Sequence, residues 1–167
     1  MSNVSQQGAK LVNVSRTPPT VSEKSNVRLS VLDAKQSMAG WEQSIGPLLA
    51  KSLEYARGRY TIEDLHSWVS EESASVMIAW DPDMAIIHAA FLLEGCEYPN
   101  KKVLSITAAG GDSVKEWIHL FPAFSEVARE MGFEQIEVVG RPGWERLLVS
   151  GEDSGSYTVS SKIIKDV

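Results

Sequence analysis

The residues best placed to do chemistry lie in one stretch, Thr107-Ala108-Ala109-Gly110-Gly111-Asp112-Ser113. It follows an apolar run, Val103 to Thr107, and precedes a helical pattern from Ser113 to about Met131. A glycine-bearing loop between strand and helix is a ready anion site: helix-start amides lack partners, and the positive end of the dipole favours negative charge. Ala109, Gly110, Gly111, Asp112 and Ser113 are therefore the candidate cofactor-binding residues. Three features oppose that use. No Lys, Arg or Gln stands in the stretch. Ser113 and Glu116 have the Ser-x-x-Glu spacing of a capping box, which would occupy two backbone donors. Asp112 puts a carboxylate where a phosphate would sit, a repulsion of about 1 kcal/mol at 4 Å in water. The glycines also serve a plain tight turn. The reading favours a loop closed by its own side chains.

Candidate general bases are Glu94, Glu97, His88 and Glu137, and Tyr157 is a candidate acid. Each has a structural account as well. His88 sits in an apolar strand and reads as a packed histidine. Glu94 and Glu97 flank a turn and are expected in solvent. Glu137 alternates with Ile136 and Val138 and is expected to face outward. Arg141 and Trp144 offer a cation and a flat apolar wall to a ligand, or else plug the end of the sheet. His66 and His119 have no partner at ligand spacing, so no metal site is predicted. Cys96 is the single cysteine, which rules out an intramolecular disulfide and argues against cysteine-held zinc.

These side chains must be positioned by a mixed set of elements. Val27 to Leu32 reads as a first strand. Trp41, Ile45, Leu48, Leu49 and Leu53 fall at helical spacing, and that helix ends near Gly58. Thr61 to Asp64 is a capping-box start for a second helix carrying Leu65, Trp68 and Val69. Ser75 to Trp80 and Met84 to Leu93 are strands joined at Asp81-Pro82-Asp83, which predicts an antiparallel hairpin. A turn at Tyr98-Pro99-Asn100 leads to the strand Val103 to Thr107. Pro122 lies inside the long helix that follows and should kink it. Phe133 to Val139 is the next strand, a short helix runs from Trp144 to Val149, and Tyr157 to Ile164 is a last strand.

Composition narrows the classes of function. The 167-residue chain carries a formal net charge of -6. Residues 1 to 36 hold five Lys/Arg and two Asp/Glu, whereas the rest holds 11 and 20. So acidic a body does not read nucleic acid, which requires clustered cations. No apolar run approaches the roughly 20 residues that span a bilayer. Residues 1 to 26 are rich in Ser, Asn, Gln, Val and Thr and contain Pro18-Pro19; they read as a polar arm ahead of a single domain, residues 27 to 167.

The element order β-α-α-β-β-β-α-β-α-β resembles the GNAT acyltransferase superfamily from about Val27 to the C-terminus. The run Gly140-Arg141-Pro142-Gly143-Trp144-Glu145-Arg146-Leu147-Leu148 is similar to that of small GNAT-like proteins encoded by tailed bacteriophages. So are Trp41, the Gly58-Arg59-Tyr60 and Tyr98-Pro99 turns, and Gly110-Gly111 followed by Trp117. The resemblance implies an α/β (α+β) fold, a central mixed sheet with helices on both faces. It implies a loop whose amides hold the diphosphate of acetyl-CoA, a base for the amine, and an acid for the thiolate. That acid is commonly a Tyr on the helix after the second crossover strand, and Trp144 to Val149 contains none. The expectation is a non-catalytic, virion-associated structural or assembly component without a cofactor. It would meet other virion proteins through its arm and reside in the virion or the host cytoplasm. The alternative is an N-acyltransferase using acetyl-CoA.

Overall fold

Five strands hydrogen-bond in chain order: β1 (Arg28–Leu32), β2 (Ser75–Asp81), β3 (Ile86–Tyr98), β4 (Lys101–Gly111) and β5 (Gln135–Val138). The first four are antiparallel to their neighbours and β5 runs parallel to β4, which makes the sheet mixed as expected. The computed structural model describes residues 26–138. The arm apart from Asn26, the candidates Arg141, Trp144 and Tyr157, and the last helix and strand lie outside the described residues.

Strand alternation gives the sheet two apolar faces, and helices cover both. Helices α1 (Ala34–Ala39), α2 (Gly46–Ala50), α3 (Leu53–Ala56) and α4 (Ile62–Ser70) lie on one. There Ile45, Leu49, Leu65 and Val69 pack on Val76, Ile78, Ala90, Leu92 and Ala108. Helices α5 (Val114–Trp117) and α6 (Phe121–Glu130) lie on the other, with Trp117, Phe124 and Val127 on Leu29, Phe91, Leu104 and Ile106. Phe91 is edge-on to both Trp117 and Phe124, at 5.2 and 5.0 Å between ring centres.

Local chemistry explains the boundaries. The capping box at α4 forms as its residues predict: the Asp64 N–H donates to Thr61 Oγ1 at 3.2 Å, and the Thr61 N–H donates to the Asp64 carboxylate at 2.8 Å. The Asp81 carboxylate folds the hairpin by accepting from the amides of Asp83 and Met84. β3 therefore starts at Ile86 rather than Met84, and it continues past Leu93 to Tyr98. The helix expected from Trp41 to Gly58 is instead three pieces. A π-helical turn, Trp41–Ile45, gives way to α2 with Pro47 in its first turn, where the missing proline N–H costs nothing. α3 ends where Arg57 and Gly58 take positive φ, 52° and 75°.

The second crossover departs further. Ala108 to Gly111 are not a loop; they are the last four residues of β4, paired with Ala89 to Leu92. The helix from Ser113 to Met131 is also divided, by a 3-10 turn at Ile118–Leu120. Pro122 stands in the first turn of α6, so it opens a helix rather than kinking one.

Candidate active site

Strand β4 carries an irregularity near its midpoint. The ladder to β5 runs from Val103↔Gln135 to Ile106↔Val138. At that point the ladder to β3 slips: Leu93 pairs with Ile106 but Leu92 pairs with Ala108. Thr107 is the extra residue, a β-bulge, the device by which strands re-aim side chains near sites.

Two side chains converge on Thr107. Its hydroxyl donates to the carboxylate of Glu94, and its carbonyl accepts from the Tyr60 hydroxyl at 3.1 Å. Thr107, Glu94 and Tyr60 are all half-buried. Glu94 does not flank a turn as expected; it stands inside β3, opposite Ser105. Ser105 in turn opposes Glu137 on β5, so the three form one row on the α1–α4 side of the sheet. Glu137 does not face outward either: it is 8% exposed, in the row it forms with Ser105 and Glu94.

Tyr60 comes from the turn between α3 and α4. Its ring stands edge-on to Trp68, 5.6 Å between centres. Burial pushes the Tyr60 phenol above its ordinary value of 10.0, the Glu94 carboxylate adds to the rise, and Arg59 offsets part of it. The phenol therefore keeps its proton throughout the physiological range.

The expected capping box at the start of α5 does not form. Ser113 is left-handed, φ 50°, and its side chain makes no cap bond, so only the turn bond from the Glu116 N–H to the Ser113 carbonyl (2.8 Å) remains. The charge of Asp112 is also answered, by an ion pair with Lys51 at the end of α2. Gly110 has a third use besides turn or anion cradle. A Cβ there would lie 1.7 Å from the Leu48 carbonyl oxygen, so α2 sits directly on the strand.

The other candidates are not gathered here. His88 is the extra residue of a second bulge, between Ala79↔Ala89 and Trp80↔Ile87, and its carbonyl accepts from the Asp112 N–H at 2.8 Å. Glu97 is exposed beside Lys102, 3.8 Å away. His66 lies against the Trp41 ring, and Cys96 is a free thiol. Among the described residues no group of three or more His, Cys, Asp or Glu could hold a metal ion, and no helix is long and apolar enough to cross a membrane. A depression of about 480 Å³ beside Trp41 and His66, and one of about 290 Å³ beside Tyr98 and Glu137, are lined by residues other than Tyr60, Glu94 and Thr107. Sequence reasoning missed Tyr60, Thr107 and Lys51, since each acts on a residue more than forty positions away or on a bulge with no local signature.

This arrangement, an antiparallel run followed by one parallel crossover, with helices on both faces of the sheet, is the fold of the GNAT acetyltransferases. Solved structures share it. A ribosomal-protein-alanine N-acetyltransferase from Brucella melitensis biovar Abortus 2308 superposes with a TM-score of 0.55 at 13% identity, over 84% of this chain and 99% of that one. An aminoglycoside acetyltransferase from an uncultured soil metagenomic sample, in complex with sisomicin, superposes with a TM-score of 0.52 at 15% identity, over 81% and 97%. No family model matches the sequence, and no curated protein matches it.

Proposed function

We propose that this protein is an N-acyltransferase that uses an acyl-CoA donor. The observation that carries this reading is the convergence of Glu94 and Tyr60 on Thr107, at the bulge in β4. The residues fit such a donor: no side chain caps the start of α5, Lys51 offsets the charge of Asp112, and the bulge takes Thr107 out of the regular ladder. When bound, acyl-CoA supplies an activated acyl carbon and a thiolate leaving group. Glu94 takes the proton that the acceptor amine loses as its nitrogen bonds to that carbon. The Thr107 hydroxyl fixes the carboxylate for that task. Backbone donors at a bulge suit the oxygen that gains charge in such a reaction.

The test is transfer of labelled acetyl from acetyl-CoA to a panel of amines that includes aminoglycosides and peptides with an N-terminal alanine. Glu94→Gln should lower kcat by about 10²–10⁴-fold. A second reading, a non-catalytic component of a phage particle that docks through residues 1–26, is favoured by the lack of any Lys, Arg or Gln between Thr107 and Ser113. Thermal denaturation separates the two. Acetyl-CoA at about 100 times its Kd adds about 2.7 kcal/mol to a protein that binds it. No rise in Tm at millimolar acetyl-CoA, together with co-purification with intact particles, would replace the first reading by the second.

A further inference from the structure

We propose that the groove between the π-helical turn and α4 is a binding site for a basic peptide, one that brings an arginine or lysine side chain together with a backbone carbonyl. The inference goes beyond the acyltransferase reading and does not depend on it. Trp68 of α4 meets Tyr60, whereas His66 meets Trp41 at the groove, and two positions on a helix are about 200° apart.

The Gly46 N–H donates to the Trp41 carbonyl five positions back, the bond that makes Trp41–Ile45 a π-helical turn, and such turns recur at functional sites. Gly46 also lets the indole lie close: a Cβ there would be 3.0 Å from the Trp41 Nε1 and 2.9 Å from its carbonyl oxygen. Trp41 is 5% exposed and lines the groove. Among the described residues no acceptor meets its indole N–H, and that nitrogen is not sealed from solvent. A buried tryptophan usually finds a partner for this group. A donor left open in the wall of a cavity of about 480 Å³ calls for an acceptor that arrives with a ligand.

The lining says what else that ligand carries. Glu42, from the π-helical turn, and Glu63, from α4, are both exposed there, and no Lys or Arg is among the lining residues. Pro47 and Ala50 add an apolar wall. A divalent cation does not fit, since no group of three or more His, Cys, Asp or Glu is gathered among the described residues. A polyamine would meet the carboxylates but leave the indole N–H without an acceptor. A basic residue within a peptide answers every feature. Its charged head meets the carboxylates, its alkyl stem lies on Pro47 and Ala50, and its carbonyl accepts from Trp41.

The probe is acetyl-Ala-Arg-Ala-Arg-Ala-amide, added to the whole 167-residue chain. In proton–nitrogen correlation spectra the assigned Trp41 indole resonance should move downfield. The same peptide with Glu in place of Arg should not move it, nor should spermidine, which has no carbonyl. By calorimetry, Glu42→Gln combined with Glu63→Gln should weaken the peptide by about 3–10-fold at low salt. Glu126→Gln combined with Glu130→Gln removes the same charge from exposed positions on α6 and should bind as wild type does. Trp41→Phe keeps an aromatic ring, loses the donor and should weaken the peptide by about 3–10-fold. An indole resonance that stays in place would overturn the proposal, whether the groove takes nothing or is already filled by the chain's own residues 1–26 or by a second copy. Equal losses in the two double variants would also overturn it, since net charge alone would then account for the attraction.

Discussion

Lys51 and Asp112 form an ion pair that ties the end of α2 to the residue following β4. The pair is exposed, at 48% and 67% of side-chain area, and solvent screens such pairs to about 0–1 kcal/mol of stability. Its larger effect should fall on anions. Asp112→Asn removes a carboxylate and leaves Lys51 unpaired at the same place. Calorimetry should find tighter acetyl-CoA binding in Asp112→Asn and weaker binding in Lys51→Glu, each by several-fold, with both differences shrinking in high salt.

Gly110 is a packing requirement. Its missing Cβ leaves room for the Leu48 carbonyl, and backbone cannot swing aside as a flexible side chain can. Gly110→Ala should cost about 1–3 kcal/mol by overpacking, read as a fall in Tm. Gly58→Ala is a contrasting case: nothing lies within 4 Å of its added Cβ, and only the positive φ of 75° opposes the change.

Thr107 separates site from scaffold. Thr107→Val keeps the side-chain volume but removes the donor to Glu94. It should lower kcat severalfold or more, while Thr107→Ser, which keeps the hydroxyl, should stay near wild type. Parallel far-UV circular dichroism should show both variants folded.

His119 makes stability depend on pH. Burial lowers its folded-state pKa below the ordinary 6.5, with Glu116 pulling weakly the other way. The unfolded chain then binds the proton more readily than the folded one. This contribution is fully present above pH 6.5 and is lost as pH falls through the folded value. Wild-type Tm should drop between about pH 7.5 and 5 by more than that of His119→Gln.

Thr61→Ala should cost about 1 kcal/mol, the usual worth of an N-cap. This box was fully legible in the sequence, since Thr61 and Asp64 lie three positions apart and need nothing else. The existence of the five described strands was legible from their apolar runs and alternation, as was the mixed sheet from the element order. The start of α5 was not. Ser113 and Glu116 have a capping box's spacing, but the left-handed backbone at Ser113 turns the hydroxyl away from it. The extent of β4 was hidden too. Ala108, Ala109, Gly110 and Gly111 are small enough to read as a loop, and their side chains carry no contrast from which alternation could be judged. Tyr60 could not be assigned a partner from its turn alone, because Thr107 is 47 positions away.

One residue of β4 is surplus to the packing. Were the chain shortened by Thr107 alone, Leu104, Ile106 and Ala109 would still point to α5 and α6. Ser105, Ala108 and Gly110 would still point to α2, in unbroken two-residue phase. The scaffold would lose nothing it packs with, and the only casualties would be a hydroxyl and a carbonyl, the two groups that Glu94 and Tyr60 hold.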